Sequence, residues 1–130
     1  MKKAKKIKPI HSDKRGNIIK VAEDEITSVL LINSKKGSVR ANHYHKNDTH
    51  YMYLLSGKMR YVTKSLKGKS ARKQSVVLKP GEIVFTPKML AHAMIALVDS
   101  QFLALTKKSR KKAAYENDTV KYELVSAQGR

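Results

Sequence analysis

Five histidines occur in the 130 residues, and four stand at spacings that could bring their imidazoles to one point. In Arg40-Ala41-Asn42-His43-Tyr44-His45 an extended chain alternates its side chains, so Ala41, His43 and His45 share one face and Asn42 and Tyr44 the other. Two imidazoles two residues apart on a strand can chelate one ion. His50 follows a polar tetrad, Lys46-Asn47-Asp48-Thr49, able to turn the chain back beside the first strand, and His92 arrives from a second hairpin after Pro87. A single histidine on an apolar face is more often a core or surface residue than a ligand, so the weight rests on the set. Imidazole is the commonest metal ligand near neutral pH, and several together suit transition metals better than Mg or Ca. Cysteine is absent, which leaves no thiolate zinc site, disulfide or cysteine nucleophile. Structural zinc sites usually close with cysteines, whereas an all-histidine site leaves positions open to water or substrate. The expectation is one divalent transition metal ion, Zn, Fe, Ni or Cu, on His43, His45, His50 and His92.

Short apolar runs rich in Val, Ile, Leu, Tyr and Phe, separated by Gly, Pro, Asn, Asp and Ser, must position these histidines. They predict strands over 26–32, 39–45, 51–55, 58–63, 75–78, 83–86, 91–97, 101–106 and 119–125. No window sustains a helical repeat over three turns, apart from a weak candidate around 107–115. Many short strands with little helix mean a sandwich or barrel. Ser56-Gly57 reads as a tight hairpin, and Lys79-Pro80-Gly81-Glu82 places Pro and Gly for a type II turn. The segments 64–74 and 107–118 read as basic loops.

At this length one hydrophobic core suffices, and the expected organisation is a basic N-terminal tail over 1–10 followed by a single domain over 11–130. The formal charge is +18, from 28 basic and 10 acidic residues. Lys2, Lys3, Lys5, Lys6 and Lys8 crowd the start, yet most of the excess lies outside that tail. Such a field attracts anions of many kinds without choosing among them. No apolar stretch approaches the roughly 20 residues of a membrane span, and no secretory signal opens the chain. No membrane association and a cytoplasmic location are expected.

The segment Gly37-x5-His43-x-His45-x4-His50-x6-Gly57 resembles the first cupin motif, with histidine where most members carry glutamate. Gly81-x5-Pro87-x4-His92-x3-Ala96 is similar to the second, with Met89 in place of its usual glycine and Ala96 in place of its usual asparagine. The resemblance implies an all-β cupin double-stranded β-helix, a jelly-roll barrel with the four histidines facing inward, and a homodimer. Four neutral ligands would leave the full +2 charge on the ion, favouring metals that tolerate nitrogen-rich shells over Mn.

Three further segments resemble enzymes that remodel keto-sugars carried on nucleotides. His11-Ser12-Asp13-Lys14-Arg15-Gly16 is similar to the Asp-x-Arg-Gly opening of dTDP-sugar 3,4-ketoisomerases and dTDP-4-dehydrorhamnose 3,5-epimerases. Arg40–Lys46 resembles their Arg-Gly-x-His segment, with Ala41 at the glycine, and Tyr115-Glu116-Asn117-Asp118 resembles the closing Tyr-x-x-Asp of the ketoisomerases. The likeness implies Arg40 on a pyrophosphate and His43 as a base beside the ketone. Those enzymes work without metal, and a metal-bound His43 cannot also be a free base. With metal bound, Tyr61 or a metal-bound hydroxide takes that role. Arg40, Arg15 and Lys46 are the candidate substrate-binding residues at the barrel mouth.

The leading reading is therefore a metal-dependent isomerase or epimerase of a carbohydrate or nucleotide sugar, with an anionic small molecule as partner. An iron-dependent dioxygenase and a non-catalytic sugar-binding or sensing cupin are the alternatives. Nucleic acid is set aside as a partner, because no helix-turn-helix, zinc-finger or RNA-recognition signature accompanies the charge.

Overall fold

The computed structural model describes residues 4–68 and 71–126. In chain order the elements are β1 (Lys5–Lys6), β2 (His11–Asp13), β3 (Gly16–Ile18), β4 (Ser28–Ser34), β5 (Val39–His45), β6 (His50–Ser56) and β7 (Met59–Ser65). They continue with β8 (Gln74–Leu78), β9 (Glu82–Thr86), β10 (Leu90–Ala96), β11 (Ser100–Thr106), α1 (Lys112–Asp118) and β12 (Thr119–Lys121). One five-stranded sheet has the order β1-β9-β6-β11-β4, a second has β12-β5-β10-β7-β8, and β2-β3 form a separate hairpin. Met52, Leu54, Val84, Phe102 and Ala104 of the first sheet meet Met59, Tyr61, Leu78, Met94 and Ala96 of the second in one buried cluster. The inner faces thus close on each other as a jelly roll, and apolar area removed from water is the main favourable term holding them.

The turns behave as their residues require. Gly57 lies at φ +93°, and a Cβ there would collide with Ser100 Oγ and the Asp99 carbonyl. Gly81, at φ +86°, occupies the left-handed corner of a turn closed by Glu82 N–H donating to the Lys79 carbonyl at 3.0 Å.

The first sheet is apolar on its outer face too. Register aligns Val29, Leu105, Tyr51 and Phe85 in one row across four strands, and Leu31, Leu103, Tyr53 and Ile83 in the next. Val29 and Leu31, on the edge strand β4, are 60% and 56% exposed.

Several expectations need correction. Lys5–Lys6, inside the expected tail, pair with Ile83 and Glu82 at the sheet edge, while residues 1–3 lie outside the described residues. The second basic loop contains α1, whose Ala113, Ala114 and Glu116 are good helix formers. The last strand stops at Lys121 rather than Val125. Beyond it the chain is held by Asn42, whose carbonyl accepts from Tyr122 N–H at 2.9 Å. The Asn42 side chain also accepts from Leu124 and Val125 N–H and donates to the Val125 carbonyl.

Candidate functional site

Strands of both sheets deliver the four histidines, β5 and β10 of the second and β6 of the first. His43 sits opposite His92 across β5 and β10, His45 opposite Thr119 on β12, and His50 on β6 between Thr86 and Thr106. Strict alternation fails just before His43. Ala41 and Asn42 adopt φ +70° and +56°, and the β10 register jumps from His92↔His43 to Ala93↔Ala41. This bulge lets Arg40, Ala41 and His43 all line one cavity. Asn tolerates the left-handed region, whereas Ala41 there costs about 1–2 kcal/mol, strain located at the site itself. Met89 shows the same feature at φ +62°, at the position where the second cupin motif usually has glycine.

Hydrogen bonds fix the proton on two of the rings. His92 Nδ1–H donates to the Leu90 carbonyl at 2.9 Å, which leaves Nε2 as a lone pair. Thr119 Oγ1 donates to the Tyr115 carbonyl at 2.6 Å, so it accepts from His45 Nδ1–H at 3.2 Å, with Asp118 Oδ2 at 3.6 Å. His45 Nε2 is consequently a buried lone pair with no protein partner. Ligand atoms of His43, His45 and His92 all lie within 4.8 Å of one another. His50 joins this group through His92, their Nε2 atoms 3.3 Å apart. Two imidazole nitrogens held about 2.0–2.1 Å from a tetrahedral ion stand about 3.3 Å apart, and an orphaned imidazole lone pair is a donor without an acceptor. The donor set therefore fits a divalent transition ion.

Burial, the largest cause, holds every ring neutral, and neighbouring positive charge adds to it. His43 and His45 are lowered to about 3, His92 to about 4, and His50 well below the ordinary value. A second cluster, His45 with Asp48 and Asp118, also has metal-like spacing. Its carboxylates already accept main-chain donors, Asn47 and Asp48 N–H on Asp118 and Lys108 N–H on Asp48. It serves as a clamp joining the β5–β6 turn to α1 and backing His45.

The cavity measures about 350 Å³. Leu30, Ile32, Met52, Met94, Phe102 and Ala104 form its apolar wall, and His43, His50, His92, Arg40, Arg110 and Tyr115 supply its polar groups. Tyr115 packs on the histidines, its ring centroid 6.3 Å from His43 and 5.9 Å from His45.

The other candidates divide. Arg40 reaches the cavity mouth, its Nε donating to Ser34 Oγ and Nη2 to the Asn33 carbonyl, both at 2.7 Å. Arg15 is exposed on the β2–β3 hairpin and paired with Asp13 at 2.6 Å. Lys46 borders a separate surface groove with Lys108 and Asn117. Tyr61 is packed in the core, where its hydroxyl bonds to Thr86 and burial pushes it up to about 12, so the proposed base role loses its geometric support. Arg110 and the contact of Tyr115 with the histidines are the features that sequence reasoning missed.

No curated protein matches the sequence. Among solved structures, a 3,4-ketoisomerase from Helicobacter canadensis superposes with a TM-score of 0.72 at 19% identity, covering 92% of this chain and 89% of that one. The sugar 3,4-ketoisomerase QdtA from Thermoanaerobacterium thermosaccharolyticum, solved in complex with TDP, gives 0.71 at 19%, covering 92% and 86%. The dTDP-4-dehydrorhamnose 3,5-epimerase from Sulfolobus tokodaii gives 0.67 at 19%, covering 84% and 70%. At this identity the likeness speaks for the fold. The cupin family model itself matches residues 5–122, nearly the whole chain, and with the jelly roll and its inward histidines this shows that the chain belongs to the cupin family.

Proposed function

We propose that this cupin holds one divalent transition metal ion on His43, His45, His50 and His92 and isomerises or epimerises an anionic carbohydrate, free or carried on a nucleotide. The buried, unpartnered Nε2 of His45, grouped at ligand spacing with His43 and His92 and joined by His50 through His92, carries this reading. When bound, the ion would supply positive charge where an enediolate oxygen develops. Around it, the Leu30, Ile32 and Phe102 wall excludes water, Arg40 offers charge at the mouth, and Tyr115 brings a phenol against the histidines. The ketoisomerase and epimerase neighbours favour this chemistry over others that the fold hosts. Protein reconstituted with Zn, Fe, Ni or Cu and incubated with TDP-4-keto-6-deoxyglucose in D2O should place deuterium beside the ketone, followed by NMR. Absence of exchange with every metal defeats the nucleotide-sugar form of the reading.

A second reading, an iron-dependent dioxygenase, draws on the predominantly apolar wall. Oxygen uptake by the iron-loaded protein with an apolar phenol or acid would favour it.

We also infer a homodimer formed through the outer face of the first sheet. Its two four-residue rows carry no charge on a molecule of charge +18, and Lys5 continues the second row past Ile83, so a second copy would seat at the β4 end, where Val29 and Leu31 are exposed. No helix among the described residues is long and apolar enough to cross a membrane.

A further inference from the structure

Arg110 is a largely buried charge of the cavity lining that the metal reading does not use. It lies in the return from β11 to α1, where the main chain is pinned by Lys107 N–H on the Thr49 carbonyl, Lys108 N–H on Asp48 and Arg110 N–H on Ser28 Oγ. Its side chain is 15% exposed and lines the cavity together with His43, His50 and His92. The guanidinium stacks over the Tyr115 ring, Cζ 4.8 Å from the centroid. Its Nη2 stands 3.4 Å from Asp48 Oδ2, beyond a well-formed N–H···O bond, and its Nε is buried without a partner. A guanidinium has five donors, and a buried one left short of acceptors is destabilising unless an oxygen arrives to complete it.

Arg40, the other arginine of the cavity, is in a different state. It is exposed, and its Nε and Nη2 already donate to Ser34 and Asn33. Asp48 Oδ2 is the ion-pair partner of Arg110, and the other Asp48 oxygen is held by Lys108 N–H. Arg110 Nε–H is thus an unmet donor on a stacked, planar guanidinium that lines the cavity.

We propose that Arg110 receives an oxyanion of the ligand inside the cavity, so that the ligand bears a carboxylate or phosphoryl group on the same small unit that meets the histidines. This deepens the carbohydrate reading, and rests on it only in taking the cavity as the ligand site. A volume of about 350 Å³ confines that unit to about the size of a single sugar or a small acid. A remote diphosphate could engage Arg40 at the mouth without ever reaching Arg110.

The test titrates the purified, metal-loaded protein with glucuronate, glucose 6-phosphate and glucose by calorimetry, using Arg110→Gln, Arg110→Lys and the distant Lys67→Ala. At least one anionic probe should bind ten-fold or more tighter than glucose, and which one it is identifies the oxyanion. That preference should vanish in Arg110→Gln, survive in part in Arg110→Lys and be unchanged in Lys67→Ala, while metal content stays constant. Should Arg110→Gln not fold, the parent labelled with 15N-arginine gives the same answer. The Arg110 Nε–H resonance, assigned with Arg110→Lys, should move with the anionic probe and stay still with glucose. Equal binding of glucose and both anions, an anion affinity untouched by Arg110→Gln, an unmoved resonance, or no anion binding at millimolar concentration overturns the proposal. Because binding is read without turnover, an anion site can stand even if the isomerase reading falls.

Discussion

Acid should destabilise the metal-free protein steeply, and the effect can be worked from the burial of its histidines. His45, His50 and His92 are only 2%, 4% and 1% exposed. Burial and neighbouring positive charge lower His45 to about 3, His92 to about 4 and His50 in the same direction, from an ordinary 6.5. Folded values below the unfolded value mean that the unfolded chain binds more protons in the intervening range. Stability is therefore complete above about pH 6.5 and is lost as pH falls toward about 4. One pH unit below the unfolded value costs about 1.4 kcal/mol per histidine, so pH 5 costs about 2 kcal/mol each for His45 and His92, about 4 kcal/mol together, and His50 adds in the same direction. Asp48, whose carboxyl burial pushes up, works the other way only at the acid end of that range. The loss approaches the lower end of the whole stability of a typical domain, about 5–15 kcal/mol. Urea denaturation of chelator-treated protein at pH 7.5, 6 and 5 measures it, with His50→Gln/His92→Gln as a variant whose pH slope should be flatter. Stabilities at pH 7.5 and pH 5 that agree within about 1 kcal/mol would refute the reasoning, since a loss of about 4 kcal/mol or more is expected.

Three other outcomes follow from particular contacts. Asn42→Ala removes three side-chain hydrogen bonds to Leu124 and Val125 and places alanine at φ +56°, so it should lower stability by about 2–4 kcal/mol and expose residues 122–126 to proteolysis. Thr119→Val removes the acceptor that fixes the His45 tautomer and should weaken metal binding about 10–100-fold in a competition titration with little change in urea midpoint. Leu31→Asp with Leu103→Glu puts charge into the outer apolar rows and should give a monomer by sedimentation at micromolar concentration, where the parent sediments as a dimer.

The sheets were legible in the sequence because Gly57, Pro80-Gly81 and the Asn and Asp clusters punctuate runs of β-branched and aromatic residues, and the strands fall close to those runs. The strands β1, β2 and β3 were not, since Lys5–Lys6 and the exposed His11–Ile18 hairpin bury no face and so leave no alternation to read. The convergence of the histidines was legible from spacing, but the bulge was not. Asn42 is a residue that tolerates the left-handed region, but Ala41 beside it is not, and the run Val39–His45 otherwise reads as an unbroken strand. Tyr61 lies inward as alternation requires, yet inward at that height is the packed core rather than the cavity. Arg110 was hidden in the run Lys107-Lys108-Ser109-Arg110-Lys111-Lys112, which reads as a solvated charge cluster. One signal was available. Arg110 is the sole arginine among those lysines, and arginine is the residue suited to stacking and planar oxyanion contact in a buried setting.

Whether the histidines hold an ion is measured directly by native mass spectrometry of protein purified without a histidine tag, alongside elemental analysis. One divalent transition ion per chain in the parent, lost from His45→Ala and from His92→Ala while both variants keep the β-sheet circular dichroism of the parent, is the expected result. Parent protein that stays metal-free after exposure to Zn, Fe, Ni and Cu at micromolar concentration, or a His45→Ala/His92→Ala double variant that keeps a full equivalent, would contradict it.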